Sequence, residues 1–388
     1  MCENPCNFDD CEGPCTDGFK VELFTAQADE FIAKGLEQLN FETLSDVVEA
    51  GLPNAHEVEP VVVQDFRNLK ANEVSQMEEQ YFGPHANVHF VVMNPTDAPS
   101  SGHPLLEICT QLQDHLPLSY PVEHPMEKHP EALSRFGNPD GTLKIYDLDT
   151  KDGSNGYREQ AETSEEFLAH NDGLGYAGAV EAVALYADSA PVTGGYTFFS
   201  NFVHKALYLA GTDEKAFRSL FLPDAMTALR PRGKGAIRVK TPICFINEQD
   251  QPQVFFRVQT GEYQISWRKD VPALQRGISF LNEMAKPFAA GSTFVHLMRK
   301  GQGSIARNGF VVHGRTAFLN GAAPDEKRIL ARKWFMTAKR HTQYKHVPGM
   351  HIKKTYASIY PELFGEARLY GDWNYRLNED RNVKNFAA

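Results

Sequence analysis

No run of apolar residues in this sequence approaches the roughly 18 that a membrane-spanning helix requires, so no membrane partner is expected. Basic charge is scarce as well. The 39 Lys and Arg against 50 Asp and Glu leave a net charge of -11, the wrong sign for a nucleic-acid partner, which needs a basic face. The dense basic stretches, Arg230 to Lys240 and Lys327 to Lys345, are short and suit a small anionic ligand or a solvated surface. No glycine-rich loop follows a strand at Rossmann or P-loop spacing, which leaves nucleotide binding without support. Internal repeats and low-complexity blocks are absent. The N-terminus, Met-Cys-Glu-Asn-Pro, has neither the positive nor the apolar part of a signal peptide, and a cytoplasmic location is the expectation.

Cysteine is sparse outside the first fifteen residues, where Cys2, Cys6, Cys11 and Cys15 crowd together. Their C-x3-C-x4-C-x3-C spacing differs from the C-x2-C pairs of common zinc sites, and reduced thiols on an irregular lead-in are the preferred reading. Disulfides would conflict with a cytoplasmic location. What the chain does have is an ordinary globular make-up, 42% hydrophobic and 23% charged residues over 388 positions. That is enough for a core stable without staples, in one large β domain with helical insertions or two domains sharing a core. The oligomeric state is left open, a homodimer being admissible.

The pattern divides the chain into a lead-in (1–19), a mixed helical part (20–160) and a strand-rich part (161–388). Val21, Leu23, Phe24, Phe31, Ile32 and Leu36 recur at helical spacing, as do Leu105, Ile108 and Leu112 within Pro104 to Leu116. Val88 to Met93 reads as a buried strand, and Pro121 to Asn155 as a loop-rich connection. Beyond Ala161, β-type runs at 177–186, 236–246, 253–258, 263–268, 292–298 and 309–312 are separated by turn residues, among them Gly301 to Gly303. Helical stretches at 197–221 and 271–286 interrupt them. Many short strands with few helices predict a mainly β fold with helical insertions, a sandwich or jelly roll, and argue against an alternating parallel sheet.

Two imidazoles and one carboxylate on one face of a metal leave three positions open for a co-substrate and oxygen. The sequence form is His-x-acid with a second His far downstream, because residues i and i+2 of an extended segment point the same way. With 14 His and 50 acids, chance alone predicts about two His-x-acid triplets, so the form by itself decides little. Two occur. His129-Pro130-Glu131 lies in a Pro-rich stretch and reads as a surface turn, whereas His170-Asn171-Asp172 has company. It leads to Thr193-Gly194-Gly195-Tyr196-Thr197, then to Asn308-Gly309-Phe310-Val311-Val312-His313-Gly314-Arg315, and then to Arg328 and Arg332.

HND, TGGYT, HGRTAF and the paired arginines, in this order, resemble the taurine dioxygenase and clavaminate synthase-like superfamily of Fe(II)- and 2-oxoglutarate-dependent oxygenases, over roughly residues 165–337. The resemblance implies a double-stranded β-helix with Fe(II) inside its open end. It also implies His170, Asp172 and His313 as iron ligands, and 2-oxoglutarate and O2 as co-substrates. Arg328 then matches the residue that binds the distal carboxylate of 2-oxoglutarate, with the Thr197 hydroxyl assisting. Arg332 matches a contact to an acidic substrate group. The closest clavaminate synthase-like members often carry Glu where this chain has Asp172, which weakens any transfer of substrate identity.

The residue chemistry is compatible with these roles. A buried dicarboxylate needs a bidentate, permanently charged partner, and residues four apart share a face on a strand or a helix. Each residue also has a plainer reading. His313 alone would pass for a core histidine, Thr197 can cap a following helix, Arg332 can be a surface ion pair, and Arg315 reads as support. Asn171 and the segment Leu174 to Tyr176, beside the presumed iron, are candidate substrate contacts. Leu229 to Lys240, with Arg230, Arg232 and Lys234, reads equally as a lid or a solvated turn. The expected substrate is a small anionic or zwitterionic molecule, an amino acid or a derivative in specialised metabolism, undergoing hydroxylation, desaturation or cyclisation. The alternatives are a taurine-type sulfonate, and a trimethylammonium substrate caged by rings such as Trp334, Tyr344, Tyr370, Trp373 and Tyr375. A catalytically silent binder of 2-oxoglutarate or a metabolite is the reading outside enzymology.

Overall fold

A computed structural model describes residues 18–95, 102–122, 142–147, 161, 163–173, 180–222, 224–232, 235–247, 249–258, 264–336, 351–352 and 373–374. The cysteines of the lead-in, His129 to Glu131, Leu174 to Tyr176, Lys234, Tyr344, Tyr370 and Tyr375 lie outside them.

The chain opens with helix α1 (Gly18–Leu39), whose Ala28, Phe31 and Leu39 are buried at helical spacing. Helix α2 (Leu44–Ala50) starts at a reciprocal cap, in which the Asp46 carboxylate accepts from the Thr43 N–H at 2.8 Å and Thr43 Oγ1 accepts from the Asp46 N–H at 3.2 Å. Strand β1 (Val61–Val63), helix α3 (Ala71–Phe82), strand β2 (Asn87–Val92) and helix α4 (Pro104–Gln111) follow, then strands β3 (Tyr120–Val122) and β4 (Leu143–Tyr146). Next come β5 (Phe167–His170), β6 (Val180–Ser189), β7 (Thr193–Gly194) and β8 (Tyr196–Asn201), and helices α5 (Phe202–Thr212) and α6 (Glu214–Ser219). Strands β9 (Met226–Arg232), β10 (Gly235–Thr241), β11 (Cys244–Ile246), β12 (Pro252–Val254) and β13 (Gln264–Trp267) precede helix α7 (Pro272–Met284). The remaining strands named here are β14 (Ser292–Leu297), β15 (Gln302–Arg307), β16 (Val311–Arg315), β17 (Phe318–Leu319) and β18 (Ile329–Met336).

Two sheets carry the architecture. The larger runs β1-β2-β15-β6-β18-β3, with β4 also on β18; the smaller runs β14-β8-β16-β5. Strands from both sides of residue 160 are therefore hydrogen-bonded into one sheet. Period-2 alternation assigns the faces of the larger sheet. Val183, Leu185, Ala187, Leu330 and Trp334 join a core shared with Phe199 and Val311 of the smaller sheet and with α1 and α5. Their neighbours Ala182, Ala184, Tyr186, Ala331 and Phe335 join a second core with Met77 and Tyr81 of α3 and with Leu105 and Ile108 of α4. A sheet covered on both faces needs continuous apolar strands, and β6 is buried almost throughout. The space between the two sheets is where the site lies.

Three expectations are corrected. The stretch 197–221 begins as strand β8. Phe198 and Phe199 point to opposite faces and are both buried, and the helix starts only at Asn201, whose side chain caps the His204 N–H at 3.0 Å. Gly301 to Gly303 is a turn only at Gly301, and β15 begins at Gln302. Gly303 lets the backbone lie against Phe90, since a Cβ there would stand 2.2 Å from the ring. The loop expected at 229–240 is the hairpin of β9 and β10. Elsewhere the spans agree with α1, β2, α4, α7 and β14. Among the described residues, no helix is long and apolar enough to cross a membrane.

Candidate metal centre and co-substrate pocket

Strand β16 lies between β8 and β5, and its antiparallel register with β5 sets His313 directly opposite His170. The two rings stand 4.5 Å apart between centroids, tilted by 47°. Two residues beyond His170, Asp172 turns back toward both. Its Oδ1 is 3.4 Å from His170 Nε2 and its Oδ2 is 3.9 Å from His313 Nε2. One donor atom from each of the three residues falls within 4.8 Å of the others, and all three residues are buried.

Two asparagines hold this turn. The Asn171 amide donates to the carbonyls of Asn308 and, at 3.0 Å, Val311, and its oxygen accepts from the Phe256 N–H at 2.7 Å. Asn308 accepts from the Asp172 N–H at 2.8 Å and donates to the carbonyls of Asp172 and Val180 at 3.0 and 2.9 Å. The expected substrate contact by Asn171 is therefore corrected. Its hydrogen-bonding groups are spent on main chain that would otherwise be buried without partners. Replacing Asn171 with alanine is expected to cost about 2–4 kcal/mol, since each orphaned backbone group costs ~1–3 kcal/mol, read as a lower denaturant midpoint.

The electrostatics favour the protonation states that ligate a cation. Burial, then the Arg257 charge, lowers the His170 pKa, and burial, then His170, pulls His313 down to about 3. Both imidazoles are neutral at pH 7. Burial pushes the Asp172 carboxyl up, but the Arg332 guanidinium and the two histidines outweigh it and hold it well below the usual range. His170 Nδ1 lies 2.9 Å from the Leu168 carbonyl, which fixes the proton there and leaves Nε2 with its lone pair. That Nε2 and His313 Nδ1 are buried without hydrogen-bond partners among the described residues. Orphaned imidazole nitrogens around a carboxylate fit a divalent metal with nitrogen and oxygen preference, such as Fe(II).

A pocket beside this cluster is lined by His170, His313, Thr197, Arg328 and Arg332. Arg328 precedes β18, and burial, then the neighbouring Arg315, lowers its pKa well below the usual guanidinium range. Its guanidinium lies 5.4 Å from the Phe318 ring centroid, and among the described residues no carboxylate pairs with it. Thr197 Oγ1, on β8, is buried without a partner among the described residues, and Asn201 takes the capping role expected of Thr197. A buried cation beside an orphaned hydroxyl fits a carboxylate. Gly195, at φ +73°, makes room: a Cβ there would stand 3.3 Å from Arg328 Cδ.

Arg315 is support, as expected, donating to the carbonyls of Glu165 and Thr163. Arg332 differs from expectation. It lines the cavity, but its Nη1 donates to Asp172 Oδ2 at 3.1 Å. Trp334 donates its Nε1–H to the same oxygen at 2.7 Å, which corrects its assignment to an aromatic cage. Sequence reading missed Trp334, Asn308 and Phe167, whose ring stacks on His170 at 4.0 Å. The i, i+2 spacing of Arg332 and Trp334 on a strand was the available signal for the first.

Two neutral imidazoles and a carboxylate, with a buried guanidinium lining the pocket beside them, are the requirements of an oxygenase that chelates a 2-oxo acid on iron. Residues 112–334, more than half of the chain, match the family described as "Taurine catabolism dioxygenase TauD, TfdA family", and the chain belongs to that family. It is a 2-oxoglutarate-dependent dioxygenase, using Fe(II), 2-oxoglutarate and O2. No curated protein matches its sequence. Among solved structures, asparagine oxygenase (AsnO) is 15% identical with a TM-score of 0.46, the match covering 84% of this chain and 94% of that one. The non-heme iron oxygenase OrfP, in complex with Fe and alpha-ketoglutaric acid, is 14% identical with a TM-score of 0.47, over 85% and 96%. A taurine dioxygenase from Burkholderia xenovorans is 15% identical with a TM-score of 0.44, over 74% and 88%.

Proposed function

We propose that this dioxygenase hydroxylates an unactivated C–H bond of a small amino acid or amino-acid derivative, with His170, Asp172 and His313 holding the iron. In this reading the two sheets are the halves of a double-stranded β-helix. Iron with 2-oxoglutarate and O2 supplies a two-electron oxidation of a C–H bond, releasing succinate and CO2. Arg328 grips the distal carboxylate of 2-oxoglutarate as a bidentate fork, and Thr197 donates its hydroxyl to the same group. The cavity wall excludes water and holds one C–H bond toward the metal. The observation that carries the reading is a pocket lined by His170, His313 and Arg328, the two histidines lying with Asp172 in one cluster of donor atoms, while among the described residues no carboxylate pairs with Arg328.

The pocket lining mixes Leu185, Leu330 and Ile145 with the arginines, which favours a short chain bearing a charged end. Engagement of Arg332 with Asp172 counts against a substrate sulfonate bound by that residue alone.

An anaerobic spectrum with Fe(II) and 2-oxoglutarate tests the chelation, and a visible charge-transfer band is expected. Succinate release dependent on O2, measured across amino acids, tests turnover; none at any substrate or enzyme concentration leaves a silent binder. Arg328→Ala is expected to raise the 2-oxoglutarate requirement roughly 30-fold to 5000-fold, since truncating one partner of a buried charge pair costs ~2–5 kcal/mol. The same change should leave the co-substrate-free protein as stable as before, or more so, because it removes an uncompensated buried charge. An unchanged 2-oxoglutarate requirement would remove Arg328 from its proposed role.

A further inference from the structure

Asp172 Oδ2 accepts from Trp334 Nε1 at 2.7 Å and from Arg332 Nη1 at 3.1 Å and lies 3.9 Å from His313 Nε2, while Oδ1 faces His170 Nε2. A carboxylate oxygen has two lone-pair sites, so these two donors fill Oδ2 and leave both sites of Oδ1 for other use. The donors also brace one another. They sit two residues apart on β18, with the Arg332 guanidinium 4.7 Å from the Trp334 ring centroid, and both side chains are buried. From the main chain, Asn308 fixes the Asp172 N–H and carbonyl, so neither rotation nor translation of the carboxylate is easy.

We infer that Trp334 is a positioning residue of the metal centre, which with Arg332 fixes the Asp172 carboxylate through Oδ2. The inference rests on the proposed iron ligands and goes further in assigning what holds the carboxylate among them. Arg332, on this view, serves the metal ligand before any substrate.

The test uses the full chain under anaerobic conditions, titrated with Fe(II) and, separately, with Co(II) as a spectroscopic probe. Trp334→Phe keeps an aromatic ring and removes the donor. Replacement of Trp334 by 3-benzothienylalanine keeps the bicyclic shape and exchanges N–H for sulfur. Both are expected to weaken Fe(II) binding roughly 10-fold to 100-fold, the usual effect of losing an outer hydrogen bond to a ligand. Both should also alter the Co(II) visible bands, because a carboxylate that has lost one of its two donors is held less firmly. The benzothienyl protein should keep the thermal midpoint of the unmodified metal-free protein within a few degrees, as its packing is unaltered. Unchanged affinity and Co(II) bands in the folded benzothienyl protein would overturn the inference. So would weakening by Trp334→Phe alone, which assigns the effect to packing. His313→Ala serves as the control. If it too leaves Fe(II) affinity intact, the ligand assignment has failed and not merely the positioning role.

Discussion

Replacing His313 with alanine is expected to reduce Fe(II) affinity by roughly two to three orders of magnitude and to bring 2-oxoglutarate turnover to background. The size follows from a four-ligand structural zinc site, where ~10–16 kcal/mol of binding implies about 3–4 kcal/mol per ligand. In the proposed ligand set His313 is one of three protein donors, and among the described residues no other His, Cys, Asp or Glu joins the cluster. Because the imidazole is neutral and its Nδ1 unpartnered, removing it takes no ion pair from the fold. The variant should stay folded, with a small stability loss from the cavity. Calorimetric titration with Fe(II) and succinate release report the two effects separately. Retained turnover in a folded His313→Ala protein would end the three-ligand assignment.

The second large effect concerns stability. Lys205 on α5 is fully buried, its ammonium donating to Ser200 Oγ and, at 2.8 Å, to the Met284 carbonyl, with the Phe202 ring centroid 5.3 Å away. Burial lowers its pKa to about 7, against an unfolded value near 10.4. Between these values the unfolded chain keeps a proton that the folded chain has lost. Stability from this residue therefore rises with pH from about 7 to about 10, at up to ~1.4 kcal/mol per unit. Lys205→Met fills similar space without a charge. It is expected to stabilise the fold by about 2–3 kcal/mol at pH 6, since the ~4–5 kcal/mol ionisation penalty is offset by ~1 kcal/mol for each lost hydrogen bond. The gain over wild type should shrink as pH approaches 9.5. Denaturant titrations of both proteins at pH 6, 7, 8.5 and 9.5 measure it. A pH-independent difference between the two would sink the explanation.

What could be read beforehand divides along physical lines. Leu105, Ile108 and Leu112 predicted α4 because a helix buried on one face shows a 3.6-residue period. Strand β15 stayed hidden because Gln302 to Arg307 owes its burial to neighbouring strands, and Gly303 is tolerated for its close approach to Phe90. Residues 197–201 looked helical because consecutive phenylalanines fit either period; only their burial in opposite faces distinguishes them. At the site, spacing and chemistry singled out His170, Asp172 and His313, which cluster, and Thr197 and Arg328, which line a pocket with the two histidines. Sequence could not give the partner of Arg332, because Asp172 lies 160 residues away and a pairing at that distance leaves no local trace. Asn171 misled for a related reason. Adjacency to two presumed ligands says nothing about which way the intervening side chain turns, and in extended chain it turns away.

The register that sets His313 against His170 joins positions far apart in the chain, with Arg328 later still. In the proposed ligand set, a chain emerging from its N-terminus carries two of the three donors long before the last one exists. Strand β16 must then pair with both β5 and β8 for all three to meet. Metal affinity of that set is a property of the finished sheet, and not of any segment that precedes it.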